Sequence, residues 1–180
     1  MGATTATAQN GIQIGYGATA TVTSNYVVDD IYITPPNCNP CYGASGILIY
    51  GSAGVNVLSN TVESTQYGIV PVTASASLTA NGIVVTSNHI GGTQLYDAID
   101  LCSNGNTADS NSIFGSNAQS GVHVDDQCPG PGSTPSGTNN TVKNNTINEP
   151  CAGVLLGSGT PNTSSPNTFF NVRFTTLSGN

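Results

Sequence analysis

The chain has 180 residues, of which 37% are apolar, enough for one domain with a continuous core. Only two residues are basic against nine acidic ones, and the net charge of −7 excludes a nucleic-acid-binding surface and argues against an anionic membrane as partner. No apolar run approaches the ~20 residues of a membrane-spanning helix, so no membrane span is predicted.

The first recurring element in chain order is a short strand that opens with a small residue, followed by two apolar residues at spacing two. It occurs six times, at residues 11–14, 46–49, 68–72, 98–101, 121–124 and 153–156. Alternation with a period of two is typical of half-buried strands. Repetition at intervals of tens of residues predicts a coil that stacks on itself.

Each opening strand is followed, later in the same repeat, by an asparagine with an apolar residue two positions after it. The asparagines are Asn25, Asn60, Asn88, Asn111, Asn145 and, in a degraded copy of the pattern, Asn171. The apolar residues that follow the first five are Val27, Val62, Ile90, Ile113 and Ile147. The asparagines either form a hydrogen-bonded ladder or simply mark a bend with left-handed backbone geometry.

The intervals between openings vary from 22 to 35 residues, which favours a fold whose strands stay aligned while its turns absorb insertions. No stretch of ten residues shows a helical period. The sequence therefore predicts an all-β, right-handed parallel β-helix (solenoid) of about six coils. Aligning the openings predicts two inward rows, which are Ile12, Ile47, Ile69, Ile99, Val122 and Val154, and Ile14, Ile49, Leu101, Val124 and Leu156.

The repeated pattern resembles the right-handed parallel β-helix repeat proteins of the pectate-lyase-like superfamily, and most of all the secreted bacterial members described only by this repeat. The resemblance covers roughly residues 10–174. It implies the fold and leaves the function open, because this fold hosts lyases, hydrolases, epimerases and adhesins.

We expect a single β-helix domain over residues 1–180, interrupted by loop insertions at 29–45, 73–81 and 126–139. Proline and glycine mark these segments as loops, which commonly carry the binding surface of a solenoid. Six coils are few for an enzyme of this fold, and no capping helix is predicted. The chain is therefore expected to be a segment of a longer solenoid, or to use its ends for end-to-end self-association.

The same alignment predicts an outward row, which is Gln13, Leu48, Val70, Asp100, His123 and Leu155. It makes Asp100 and His123 neighbours on adjacent coils. Asp97 lies three residues before Asp100 in the chain, and Asp125 and Asp126 closely follow His123. This cluster has three possible interpretations. Asp100, His123, Asp125 and Asp126 could act as acid and base on a glycan. Asp97, Asp100 and Asp125 could bind Ca²⁺, or Asp100 and His123 could be an ordinary cross-strand pair.

The resemblance argues against catalysis. Polysaccharide lyases of this fold use an arginine or lysine near their acids, and the only basic residues here, Lys143 and Arg173, lie outside the opening strands. Of the polygalacturonase motifs only the pair Asp125-Asp126 is present, and the Asp-Pro-His-Glu motif of mannuronan epimerases is absent. We therefore expect a protein that lacks catalytic activity and needs no cofactor, with Ca²⁺ as the cation the acids would suit.

Apolar and aromatic side chains predict a second kind of site, since a sugar ring presents an apolar face for stacking. The candidates are Tyr42, Leu48, Tyr50 and Tyr67. We expect an exported module, extracellular or at the cell surface, that binds polysaccharide or another extracellular surface. The alternatives are a glycan-processing hydrolase or lyase and a structural, self-assembling solenoid.

The five cysteines leave at least one thiol unpaired within the chain and fit an exported protein. Cys38 and Cys41 are expected to form a loop disulfide, because nothing completes a zinc site around them. Cys102 and Cys128 fall near the same edge of adjacent coils and are the second predicted pair. Cys151 would then be free or bridge to another chain.

Overall fold

All the regular elements of the computed structural model are strands, within the residues that it describes: 9–32, 43–92, 96–115, 119–126, 128, 137–148 and 150–178. In chain order they are β1 Ile12–Gly15, β2 Thr21–Thr23, β3 Tyr26–Val28, β4 Ser45–Tyr50, β5 Asn56–Leu58, β6 Thr61–Glu63, β7 Tyr67–Val72, β8 Val84–Thr86, β9 His89–Gly91, β10 Ile99–Leu101, β11 Thr107–Asp109, β12 Ser112–Phe114, β13 Ser120–Val124, β14 Thr141–Lys143, β15 Thr146–Asn148, β16 Ala152–Leu156, β17 Thr163–Ser164, β18 Thr168–Phe170 and β19 Phe174–Ser178. In this part of the chain no helix is long and apolar enough to cross a bilayer.

The strands form three parallel sheets in which each strand pairs with the strand three places along the chain. The first sheet has the order β1-β4-β7-β10-β13-β16-β19, the second β17-β14-β11-β8-β5-β2 and the third β18-β15-β12-β9-β6-β3. Each coil thus adds one strand to every sheet. This confirms the predicted right-handed parallel β-helix of about six coils. Right-handed connections between parallel strands are the rule in proteins, with very few exceptions.

The predicted inward rows form the core. The register places Ile47 beside Ile69 and Ile99 beside Val122, and all four side chains are fully buried. The predicted second row contained no residue from the coil of β7. Pro71 occupies that position, opposite Ile49. The predicted outward row is not uniformly exposed, since Val70 is buried.

The asparagines form a hydrogen-bonded ladder, which settles the alternative left open by the sequence. Each Nδ2 donates to the Oδ1 of the next asparagine at 2.9–3.1 Å, through Asn25, Asn60, Asn88, Asn111, Asn145 and Asn167. The positive φ of 53–56° belongs instead to the residue before each asparagine of the first five, from Ser24 to Asn144. The ladder asparagine is thereby free to bond the coils on either side of it.

The sixth ladder member is Asn167, and the assignment to Asn171 was wrong. Asn167 stands two residues before Phe169, which pairs with Ile147 in the third sheet. Asn171 instead has a φ of 52° and donates to the Oδ1 of Asn148. A cluster of asparagines near the end of the chain hid the correct register.

A second asparagine ladder, at the corner before the second sheet, was not predicted. The backbone N–H of Asn106 donates to the Oδ1 of Asn140 at 2.8 Å, and that of Asn140 to the Oδ1 of Asn162 at 2.9 Å. A third bond joins the N–H of Ile83 to the Oδ1 of Asn106 at 2.8 Å. The coil is therefore held by side-chain amides at two of its corners.

Candidate functional site

The pairing of β10 with β13 builds the acidic cluster. It sets Asp100 directly beside His123, as the register predicted. Asp97 precedes β10 and is held from the next coil, because its Oδ1 accepts hydrogen bonds from both the backbone N–H, at 3.0 Å, and the hydroxyl of Ser120. Its Oδ2 lies 3.2 Å from the Nδ1 of His123. Asp97, and not Asp100, is therefore the hydrogen-bond partner of the imidazole.

Asp100 is buried, contrary to its predicted place on an exposed row; its exposed fraction is 5%. Its Oδ1 lies 3.9 Å from the Nδ1 of His123, too far for a hydrogen bond, and no donor in the described part of the chain reaches that atom. Burial, and after it the charge of Asp97, raises the pKa of Asp100 well above its ordinary value. The site thus contains a carboxylate that is poorly compensated when ionised.

His123 is the cationic counterpart of these acids. Its burial lowers the pKa of the imidazole, but the hydrogen bond and the charge of Asp97, with a further contribution from Asp100, outweigh burial and raise the pKa to about 8. The imidazole is therefore largely protonated at neutral pH when no cation is bound.

Asp125 lies on the other side of Asp100, next to a disulfide. The disulfide joins Cys102 to Cys128, the pair expected from their adjacent coils. Asp100, Cys102, Asp125 and Cys128 each offer one potential ligand atom, all within 4.8 Å of one another, and so do Asp97, Asp100 and His123. Asp100 is the member that these two groups share.

Asp126 does not join the cluster. Its Oδ2 accepts hydrogen bonds from the backbone N–H, at 2.7 Å, and the hydroxyl of Ser158, and these bonds lower the pKa of its carboxyl group. Of the proposed catalytic set, Asp100 lies in one group with His123 and in the other with Asp125. The proposed Ca²⁺ set is divided, since Asp97 and Asp125 lie in different groups.

The predicted aromatic residues fall in two places. Tyr67 stacks on Tyr96 with ring centroids 4.9 Å apart, and its pKa is raised first by burial and then by the charges of Asp100 and Asp97. Tyr50 instead meets Tyr16 edge to face at 5.7 Å. Leu48 is half-buried on β4, the strand that also carries Tyr50, and Tyr42 lies outside the described residues.

Tyr96 was missed by the sequence interpretation, because it precedes β10 and belongs to no repeated position.

The remaining cysteine predictions have separate outcomes. Cys38 and Cys41 lie outside the described residues, whereas Cys151 is exposed and free.

Comparison with known proteins places the chain in a family. The sequence model of the family described as "Periplasmic copper-binding protein (NosD)" matches residues 2–180. No curated protein and no solved structure shows a significant match to this chain. Since the match spans nearly the whole chain, the chain belongs to the NosD family.

Proposed function

We propose that this chain is an exported β-helix protein that binds copper(II) at a site formed by Asp97, Asp100 and His123. The family's description, periplasmic and copper-binding, supports both the location and the ion. The location agrees, at the coarse level of an exported protein, with the expectation from composition and cysteine usage.

The observation that carries the proposal is the buried Oδ1 of Asp100, which receives no hydrogen bond from the described residues. Burying a carboxylate oxygen without a hydrogen-bond donor is costly, and the imidazole of His123, 3.9 Å away, compensates it only in part. A cation between Asp100 and His123 would compensate that oxygen and the neighbouring charge of Asp97.

The donor atoms suit copper(II). The Nδ1 of His123 lies 3.2 Å from the Oδ2 of Asp97 and 3.9 Å from the Oδ1 of Asp100. Two ligands bound to one ion at ~2.0–2.1 Å can lie at most ~4.2 Å apart, so these separations need no rearrangement of the backbone. Imidazole and carboxylate donors favour copper(II), which heads the affinity order of the divalent first-row metals.

Other ions fit less well. Copper(I) prefers thiolates, and the cysteines nearest to the cluster are joined in a disulfide. Calcium, which the acids alone suggested, takes six to eight oxygen ligands, whereas this group offers two carboxylates and a nitrogen. The imidazole therefore changes the expected ion from calcium to copper(II).

Each residue has a distinct part in this site. His123 supplies the nitrogen ligand once it has lost its proton, and Asp97 is oriented by Ser120 so that one oxygen faces the imidazole. Asp100 supplies the buried oxygen. When bound, copper(II) supplies the positive charge that the acids lack and a centre able to exchange one electron.

Copper(II) titration of the full chain, followed by calorimetry and electron paramagnetic resonance, tests the proposal. We expect one ion per chain with a signal from a single imidazole nitrogen, and a loss of affinity of at least about tenfold in His123→Gln. The chain offers a matched control, since its only other histidine, His89, is exposed on the third sheet. Equal binding by His123→Gln and wild type, or loss of binding in His89→Gln alone, would refute the assignment.

Polysaccharide binding is a second candidate, favoured by the Tyr67–Tyr96 stack beside the acids. Aromatic rings next to carboxylates can stack on a sugar ring and accept hydrogen bonds from its hydroxyl groups. Affinity electrophoresis against acidic and neutral polysaccharides should show retardation that Tyr96→Ala removes. Tyr26→Ala, at an exposed tyrosine of the third sheet, should leave the retardation unchanged.

Release of products from the same polysaccharides, lost in Asp125→Asn, would instead establish the glycan-processing alternative.

A further inference from the structure

We propose that the Cys102–Cys128 disulfide covers a second metal site, which opens on reduction and takes Zn²⁺ through two thiolates and the carboxylates of Asp100 and Asp125. This site goes beyond the proposed copper site. It shares only Asp100 with that site and does not require copper to bind there.

Convergence of the four side chains is the first observation. The two sulfur atoms and one oxygen each from Asp100 and Asp125 all lie within 4.8 Å of one another. Zn²⁺ is held in proteins by four such ligands in a tetrahedron, at ~2.3 Å for sulfur and ~2.0–2.2 Å for oxygen, so its ligand atoms lie roughly 3.3–3.8 Å apart. Breaking the sulfur–sulfur bond and small side-chain rotations would bring the four atoms into that range.

The second observation is the state of Asp100. Its side chain is nine-tenths or more buried, and its Oδ1 accepts no hydrogen bond from the described residues. Because an orphaned buried carboxylate oxygen is costly, it marks a position that a cation would stabilise. The sulfur atom of Cys102 belongs to the residue two positions further along the chain and lies within 4.8 Å of a carboxylate oxygen of Asp100.

Backbone hydrogen bonds hold the ligands in place independently of the disulfide. The N–H of Cys102 donates to the carbonyl of Pro71 at 3.0 Å, and the N–H of Asp125 donates to the carbonyl of Leu101 at 3.2 Å. These bonds join three neighbouring rungs of the first sheet. Three of the four ligands therefore stay in position after reduction, while half-buried Cys128 gives a reductant access to the bond.

The chemistry is a thiol–disulfide exchange followed by metal binding. A dithiol reductant attacks one sulfur, and a second exchange releases the oxidised reductant, so that two electrons and two protons pass to Cys102 and Cys128. Zn²⁺ then binds as both thiols release their protons to solvent, since thiolate is the ligating form. In the reverse exchange a small-molecule disulfide accepts the two electrons, the Cys102–Cys128 bond forms again, and the ion is released.

The test uses the full chain carrying Cys38→Ser, Cys41→Ser and Cys151→Ser, so that Cys102 and Cys128 are the only cysteines. Its circular dichroism must match wild type before it is used. After reduction and anaerobic removal of the dithiol, we expect one equivalent of Zn²⁺ per chain and at least about tenfold slower reaction of the thiols with a thiol reagent when Zn²⁺ is present. Co²⁺ should give the intense near-ultraviolet bands of thiolate coordination.

The oxidised form of the same variant should bind no Zn²⁺ at this site, and Asp125→Asn should weaken binding by the reduced form at least about tenfold. Asp126→Asn is the matched control, because that neighbouring acid is bound to Ser158. Equal Zn²⁺ stoichiometry in both oxidation states, or thiols that Zn²⁺ does not protect, would overturn the proposal. His123→Gln separates the two sites, since it should weaken copper(II) binding at least about tenfold and leave Zn²⁺ binding by the reduced protein intact.

Discussion

Asp100 shows how a single position in a repeat can acquire a special environment. The equivalent residue of the first coil, Gln13, is exposed, whereas Asp100 is buried with Asp97 and His123 around it. The repeat alone assigns both residues to one outward row. The difference comes from what packs above that row, where Tyr67 and Asp125 approach Asp100.

Replacing Asp100 by Asn should stabilise the protein when no metal is bound. The raised pKa of Asp100 means that the fold prefers its protonated form, so wild type loses stability as pH rises above the unfolded value of 3.8. The variant lacks this loss. At pH 8 its free energy of unfolding should exceed that of wild type by on the order of 1 kcal/mol, and at pH 3 the two proteins should be equally stable. Urea unfolding with a chelator present measures this. Asp109→Asn is the control at a more exposed acid, whose pKa is lowered by Asn144, and it should not stabilise.

Copper(II) affinity should depend on pH through His123. Its pKa of about 8 means that the ion must displace a proton at neutral pH. Affinity should therefore rise with pH by up to about tenfold per pH unit between pH 6 and 8, the limit for one displaced proton, and level off above that range. Calorimetry in buffers of different ionisation enthalpy would also count the protons released. A flat profile across this range would show that His123 is not a ligand.

At the scale of elements, the asparagine ladder ties each coil to the next. Asn88 is buried and participates in bonds on both sides: it accepts from Asn60 and donates to the Oδ1 of Asn111 and to the carbonyl of Val57. Its replacement leaves buried backbone and side-chain groups on two other coils without partners. The contribution of a ladder asparagine should therefore depend on its place along the stack.

Asn88→Ala should lower the free energy of unfolding by roughly 2–4 kcal/mol, because several buried hydrogen bonds are lost together. Asn25→Ala removes the same side chain at the end of the ladder, where the residue is half-exposed, and should cost roughly 1 kcal/mol. Denaturant unfolding of both variants gives the comparison. Equal losses would mean that the amides act as independent turn residues.

At the scale of the whole molecule, a parallel β-helix leaves strand edges at the two ends of each sheet. In the first sheet β19 is the last strand, and its Phe174 and Leu177 are among the most exposed large apolar side chains of the described residues. Such an edge is a template for pairing with another chain.

We therefore expect association that grows with protein concentration, as the self-assembling alternative requires. Leu177→Lys should reduce it, because a charge on an edge strand opposes pairing. Light scattering over a wide concentration range measures the effect, with Phe114→Lys, at an exposed residue of the internal strand β12, as the control. A protein that stays monomeric at the highest concentration would rule out pairing through this edge.

The fold was predictable because its signals are local and repeated. Ile47 and Ile69 alternate with polar or outward residues, and the same pattern six times over leaves one consistent alignment. The site was predictable only as far as that alignment reaches. It placed Asp100 next to His123, but it missed the primary contact of the imidazole with Asp97 and the stacking of Tyr96.

The amino-acid sequence alone determined the all-β coil, its inward rows and the adjacency of Asp100 and His123, because strand alternation and a repeat depend only on neighbours along the chain and between equivalent positions. The tertiary structure decided which acids meet and which are buried. It turned Asp126 towards Ser158, joined Asp97 to His123 and left an oxygen of Asp100 without a hydrogen bond. Those outcomes depend on loops and on side-chain packing between coils, for which the repeat carries no signal.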